Sequence, residues 1–274
     1  MTSPLESAAD MPSLAHAEEL LKSSACNIAA YWEHLTRARG KRSVRWDDVW
    51  AVDAQTAHPL YNAATVIRSL EPAQIDDVLA RLTEFYAALP GGPWTLWSPW
   101  PSFDLEHWDF EPFGRPPIMA RQPGGTAPPV VPALHIVEVA NAATLADFER
   151  AVITGYPAPD MLPVHTGALF DARMLGGPLR LWVGYADDRP VTTAAVLVDN
   201  AVNGVYLVAT VPEARGRGFG TAVTAHAVAA YPSLPAVLVA TEMGESVYQR
   251  LGFTEIGRLG GWVKRRPGDG QARM

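Results

Sequence analysis

Six residues constrain this chain more than any others: Arg215-Gly-Arg-Gly-Phe-Gly220, set between a β-rich run and an alanine-rich stretch. The run Gly204 to Thr210 is rich in Val, Leu and Tyr and reads as a strand, whereas Gly216 to Tyr231 has helical spacing and stops at Pro232. A strand must therefore turn straight into a helix through a backbone almost bare of side chains. The first N–H groups of such a helix lack intrahelical partners, and the helix dipole adds partial positive charge. Gly216, Gly218 and Gly220 let a bulky anion approach that backbone, and Arg215 and Arg217 add full charges at its rim. The segment predicts a cradle for a phosphate or pyrophosphate.

Rival glycine loops fail on detail. A nucleotide P-loop needs GxxxxGK followed by Ser or Thr, and no such lysine is present. The dinucleotide fingerprint GxGxxG does not fit the Gly216, Gly218, Gly220 spacing and wants an acid about 20 residues later. An arginine–glycine RNA-binding segment is ordinarily repeated and disordered, whereas this one is single and lies between strand and helix. Taken alone, the arc also fits an ordinary tight strand-to-helix turn.

Composition narrows the partners. The 274 residues carry 29 acids against 22 Lys plus Arg, a formal charge of −7, which argues against general attraction to nucleic acid or anionic lipid. The lone Cys26 allows no intrachain disulfide. The opening run Met1 to Leu21 has acids where a signal peptide needs bases, and no apolar stretch reaches membrane-spanning length. A cytoplasmic protein is expected.

Prolines and glycines cluster from Gln122 to Pro132, an extended connector that divides the chain into residues 1–121 and 133–274. After it come a strand at Leu134 to Val139, a helix at Asn141 to Ile153 capped by Asn141, and an irregular stretch from Tyr156 to Gly177. Strands follow at Leu179 to Ala186 and Val191 to Val198, joined by a hairpin turn over Asp187 to Pro190. Beyond the glycine arc lie a short apolar strand at Ala236 to Thr241, a brief helix at Glu245 to Leu251, and a strand pair within Phe253 to Lys264. The order is that of a mixed α/β sheet.

Two features of this half resemble one family. Arg215 to Gly220 matches the [Q/R]-x-x-G-x-[G/A] signature of the GCN5-related N-acetyltransferases at every defined position. Ser246-Val-Tyr-Gln-Arg-Leu-Gly-Phe253 is similar to their second hallmark, a short helix bearing Tyr and ending in Leu-Gly-Phe. The resemblance covers about half the chain. It implies an acyl-CoA N-acyltransferase fold, a mostly antiparallel mixed sheet flanked by helices, with acetyl-CoA as co-substrate and no metal. Val208, Ala209 and Thr210 would pair with the pantetheine arm; Arg215, Gly216, Arg217, Gly218, Phe219, Gly220 and Thr221 would hold the pyrophosphate. A backbone N–H near Thr210 would steady the oxyanion. Thr241 stands where many members carry Asn, and its hydroxyl still serves the pantetheine arm.

The same resemblance implies direct attack of an amine on the thioester in a ternary complex, with Tyr248 protonating the departing thiolate. Packing on the sheet is the other reading of Tyr248. The general base stays open among Glu213, Asp199, Glu242, His165 and a water relay. The expected acceptor is a primary amine on a small molecule or peptide. A homodimer is open, and neither nucleic acid nor membrane is expected. A non-catalytic acyl-CoA sensor is the alternative.

Residues 1–121 are harder. Helices are expected at Leu14 to Arg39 and Glu71 to Leu89, and a strand at Gly91 to Trp100 broken by proline. His58 to Arg68 as a strand, Phe103 to Phe110 as a short helix and Ile118 to Arg121 as a closing strand would resemble the second half of an acetyltransferase fold. Val66 to Leu70 carries no glycine arc, so the half reads as a degenerate domain in tandem with the active one, helping to wall the acceptor cleft. An unrelated α/β extension is the other reading. Five of the nine tryptophans lie between Trp50 and Trp108, and they read as core packing, with Trp97 or Trp100 in a substrate cleft as the alternative. The bases from Arg37 to Arg45 read as a solvated turn.

Overall fold

A computed structural model describes residues 14–265 apart from 57, 89–90, 101–104, 125–129 and 157–161. The first half contains α1 (Leu14–Ala38), β1 (Arg42–Arg45), β2 (Val49–Asp53), β3 (Ala63–Val66), α2 (Pro72–Ala87), β4 (Trp94–Ser98), β5 (Phe110–Gly114) and β6 (Pro117–Arg121). The second contains β7 (His135–Glu138), α3 (Ala142–Gly155), β8 (Leu179–Ala186), β9 (Arg189–Asp199), β10 (Val202–Thr210), α4 (Phe219–Ala229), β11 (Ala236–Val239), α5 (Glu245–Arg250), β12 (Thr254–Arg258) and β13 (Gly260–Lys264).

Local chemistry explains most boundaries. The Asn141 carboxamide accepts the Ala143 and Thr144 N–H groups, each at 3.0 Å, and so starts α3. α2 starts at Pro72, and the Gln74 side chain accepts the Glu71 N–H at 3.0 Å. Asp187 and Asp188 take φ of 50° and 57°, the left-handed pair of a two-residue hairpin between β8 and β9.

The strands form two sheets of the same plan. The first runs β1-β2-β3-β4-β13-β5 and the second β12-β6-β11-β10-β9-β8-β7. Each has one parallel pair, β3 with β4 across α2 and β10 with β11 across α4, and is otherwise antiparallel. Next to the second strand of each parallel pair sits a strand from the other half. β6 lies between β11 and β12, and β13 lies between β4 and β5. The exchange is reciprocal.

Four expectations are corrected here. The strand at Ile118 to Arg121 exists but lies inside the second sheet, between β11 and β12, and closes neither sheet. The pair expected within Phe253 to Lys264 is two strands in different sheets, because Leu259 ends the run along β6 and Gly260 begins the run along β4. The connector near residues 122–132 thus divides the chain in sequence, while each sheet draws a strand from across it. The basic run is no simple turn: Arg42 lies over the Phe85 ring at 4.4 Å, and Arg45 donates from Nε to the Glu33 carboxylate at 2.8 Å. In place of the helix at Phe103 to Phe110 there is a 3-10 turn at Glu106–Trp108, residues 101–104 lying outside the described ones.

α1 lies between the sheets. Ile28 packs with Val52, Ala63 and Trp97, while Tyr31 and Leu35 pack with Phe148, Val152 and Leu181. On the second sheet, Leu181, Val183, Ala195 and Leu197 face α1 and α3, whereas Trp182, Ala194 and Val196 face α4. That is the period of two expected of strands buried on both faces.

Candidate active site

β10 carries the site. It pairs with β11 only at Asn203–Ala236 and Gly204–Val237, and past Gly204 the two strands part. On its other edge a bulge between Tyr206 and Ala209 shifts the register against β9, with Leu207 at φ 51°. Two buried hydroxyls hold the bulge, Thr193 donating to the Leu207 carbonyl and Thr192 to the Ala209 carbonyl, both at 2.7 Å. A bulge bends its strand, so the sheet opens as a notch between β10 and β11.

The glycine arc closes one end of that notch. Gly216 and Gly218 have φ of 75° and 81°, where a side chain is strained, and Gly218 caps α4. Gly220 has ordinary backbone angles, but a Cβ there would lie 3.2 Å from Thr210 Oγ1. α4 therefore begins hard against the end of β10, and its first N–H groups open at the notch. Arg215 holds the corner: Nε donates to the Thr210 carbonyl at 3.2 Å and Nη2 to the Gly155 carbonyl at 3.0 Å.

The resulting cavity measures about 570 Å³. Val208, Ala209, Thr210, Arg215, Gly216, Gly218, Phe219, Gly220, Thr221, Thr241 and Tyr248, all singled out in the sequence, line it. Arg217 does not; its guanidinium lies over the Phe219 ring, 4.5 Å from the centroid. Arg250, Tyr156, Met243 and Gly244 also line it and were missed. Arg250 offered only a base in the last turn of a short helix, which ordinarily means a complement to the helix dipole. Among the described lining residues the charged ones are Arg215 and Arg250, with no carboxylate. Two cations beside a helix N-terminus suit a polyanion.

Tyr248 is 8% exposed and sits on α5 beside Gly244, where a Cβ would come within 2.9 Å of its ring. Its ring meets Phe253 at 6.0 Å and 62°. Burial, and then the nearby Tyr156, push the Tyr248 hydroxyl well above its ordinary pKa. Burial pushes Tyr156 up to about 12. Both hydroxyls keep their protons at neutral pH.

A second cavity, about 350 Å³, adjoins the first. Tyr156, Val208, Val239, Thr241 and Tyr248 line both, so the two spaces meet at the Tyr248 ring. The far walls come from the first half of the chain: Tyr31 and Trp32 of α1, Tyr61, Trp97 of β4 and Phe113 of β5. Trp100 instead packs against the core under α2. Of the bases considered, Glu213 pairs with Arg189 at 3.6 Å, the Asp199 carboxylate accepts the Asn200 N–H at 2.7 Å, and Glu242 and His165 are exposed. None of them lines either cavity. Among the described residues no group of three or more His, Cys, Asp or Glu side chains could hold a metal ion. No described helix is long and apolar enough to cross a membrane.

A notched sheet with a glycine arc at the mouth is the architecture of the GCN5-related N-acetyltransferases, and comparison with known proteins agrees. Residues 177–255 match the family model of the acetyltransferase (GNAT) domain, so the second half of the chain carries such a domain. No curated protein matches the chain. The chain is similar in fold to a GCN5-related N-acetyltransferase from Kribbella flavida, with TM-score 0.65 at 19% identity over 89% of this chain and 96% of that one. A GCN5-related N-acetyltransferase from Sphaerobacter thermophilus aligns with TM-score 0.52 at 14% identity, over 94% and 95%. A tandem GNAT protein from the clavulanic acid biosynthesis pathway aligns over 92% and 96%, with TM-score 0.53 at 13% identity. The last likeness accords with two sheets of one plan. Domain and fold together support acyl transfer as the general chemistry.

Proposed function

We propose that this protein moves an acetyl or other short acyl group from coenzyme A to a primary amine, which attacks directly while both are bound. The observation that carries this reading is the meeting of a cationic cavity at a helix N-terminus with a second cavity at the Tyr248 ring. The residues fit the donor. Gly216 and Gly218 leave the arc without side chains, Arg215 and Arg250 meet the negative charge, and the parted edge of β10 at Val208 to Thr210 accepts an extended arm.

The thioester supplies an activated carbonyl and a thiolate leaving group. The chain's own part is to hold it, exclude water and manage one proton. Tyr248 keeps its proton at neutral pH, as an acid toward the leaving sulfur must. Its raised pKa means the proton is shared as charge develops, not lost beforehand. None of the side chains considered as a base lines the junction; His58, on the wall of the second cavity, and water are the proton acceptors the two cavities offer, unless the amine arrives neutral. The same observation favours the second reading, a sensor that binds acyl-CoA without turnover.

Free-thiol release from acetyl-CoA, with and without amines, separates the two. Donor binding is tested by thermal shift: a ligand at about 100 times its Kd adds about 2.7 kcal/mol. Gly218→Val, which forces a side chain to φ 81°, should abolish that shift. An unchanged shift in a folded Gly218→Val protein removes the arc from the donor site.

A further inference from the structure

The two adjoining cavities differ in charge. The first presents Arg215 and Arg250, whereas the second has no Asp, Glu, Lys or Arg among its described lining residues. Its walls are rings. Trp97 and Phe113 meet edge to face at 5.6 Å, Trp32 and Tyr61 at 5.9 Å, and Tyr31 stacks on Tyr206 at 4.0 Å. Phe113 stays 43% exposed, an apolar ring left toward solvent at the cavity wall.

We infer that this second cavity receives the acceptor, and that the acceptor is a monoamine on a flat apolar body, without carboxylate, phosphate or further charged groups. The inference rests on the transfer reading above and names its substrate class. An anionic group would lose its water here and find no Lys or Arg among the described lining residues, where His58 is the one imidazole, and a buried charge without a full counter-charge is strongly disfavoured. A polycation would likewise find no carboxylate. One ammonium is a different matter, since aromatic faces attract a single cation. Size points the same way: a cavity of about 150 Å³ holds one benzene, and this one, at about 350 Å³, has room for two fused rings. Perpendicular rings offer a flat guest both faces and edges. The shared boundary at Thr241 and Tyr248 puts the amine end beside the donor carbonyl.

The test pairs 2-(2-naphthyl)ethylamine with naphthylalanine, the same ring and amine plus a carboxylate, and adds kanamycin as a polycation. Each is assayed on the full chain for thiol release with acetyl-CoA and for binding by calorimetry in the presence of coenzyme A. The naphthylethylamine should be the best substrate. The amino acid should fall by roughly 100-fold or more in kcat/KM, because its carboxylate is desolvated unpaired. Phe113→Ala removes an exposed ring and should raise KM for the naphthyl amine by about 3- to 30-fold with kcat little changed. Trp97→Ala should act in the same direction, and Phe113→Ala keeps the test decisive if that buried variant does not fold.

Turnover of naphthylalanine or kanamycin equal to that of the monoamine overturns the inference and leaves acyl transfer standing. So does a Phe113→Ala protein with unaltered KM for the amine but altered preference between octanoyl- and acetyl-CoA, which would give the cavity to the acyl chain. If no amine is turned over yet binding keeps the same order and the same dependence on Phe113, the cavity assignment holds and the transfer reading falls.

Discussion

Asn27 is fully buried on α1 and ties the first half of the chain to the notched sheet. Its Nδ2 donates to the Leu197 carbonyl at 3.1 Å and to the Asp199 carbonyl at 3.0 Å, and its Oδ1 accepts the Tyr206 hydroxyl. Asn27→Ala removes all three bonds at once. The two carbonyls lose a partner in the interior, each worth about 1–3 kcal/mol when left short. The Tyr206 hydroxyl lies on a ring that lines the second cavity, where water can serve it at smaller cost. With the space left by the carboxamide, the loss should total about 2–4 kcal/mol. Against a stability of about 5–15 kcal/mol that is a large share.

Urea denaturation measures it. With m near 2–3 kcal/mol/M, the midpoint should fall by about 1 M and m should hold. Asn27→Asp should cost more, since it sets a buried negative charge against two carbonyl oxygens. Gly204→Ala should act at the same place by collision with Asn27 and the Tyr206 ring, costing about 1–3 kcal/mol. A change below about 0.5 kcal/mol in Asn27→Ala would refute the reasoning, because surface substitutions do as much.

Tyr248→Phe should lower kcat by about 10²- to 10⁴-fold with the coenzyme A Kd unchanged; wild-type kcat, with chemistry rate-limiting, would make the ring a packing residue. A chain beginning at Val130 lacks β6, and the second sheet then has a gap between β11 and β12; scanning calorimetry should find no cooperative melt, and a cooperative one would make β6 dispensable. Stability should also fall in alkali. Burial raises Tyr31, Tyr206, Tyr156 and Tyr248, so the folded state holds these protons where the unfolded chain has lost them. The stabilisation is complete below the unfolded tyrosine pKa near 10 and is lost as pH climbs toward about 12, the folded value of Tyr156; Tm measured across that interval checks it.

What could be read in advance follows from how far each interaction reaches along the chain. The arc from Arg215 to Gly220, the Asn141 cap and the turn at Asp187 and Asp188 act within a few residues, and their residue types announce them. The first cavity was legible for the same reason, since most of it hangs on one strand, one arc and one short helix. Arg217 escaped because a charge beside a phosphate cradle and a guanidinium stacked on Phe219 have the same local sequence. β1 escaped because Arg42 and Arg45 lie on partners from elsewhere in the chain, the Phe85 ring and the Glu33 carboxylate. The exchange of β6 and β13 lies deeper. Pro117 to Arg121 and Gly260 to Lys264 read as strands whichever sheet they join, and nothing within them names the partner. The second cavity inherits that difficulty, since Trp97 and Phe113 share a cavity with Tyr248 only because α1 and the exchanged strands hold the two sheets against each other. The first cavity is therefore written locally in this chain, and the second is written in its tertiary packing.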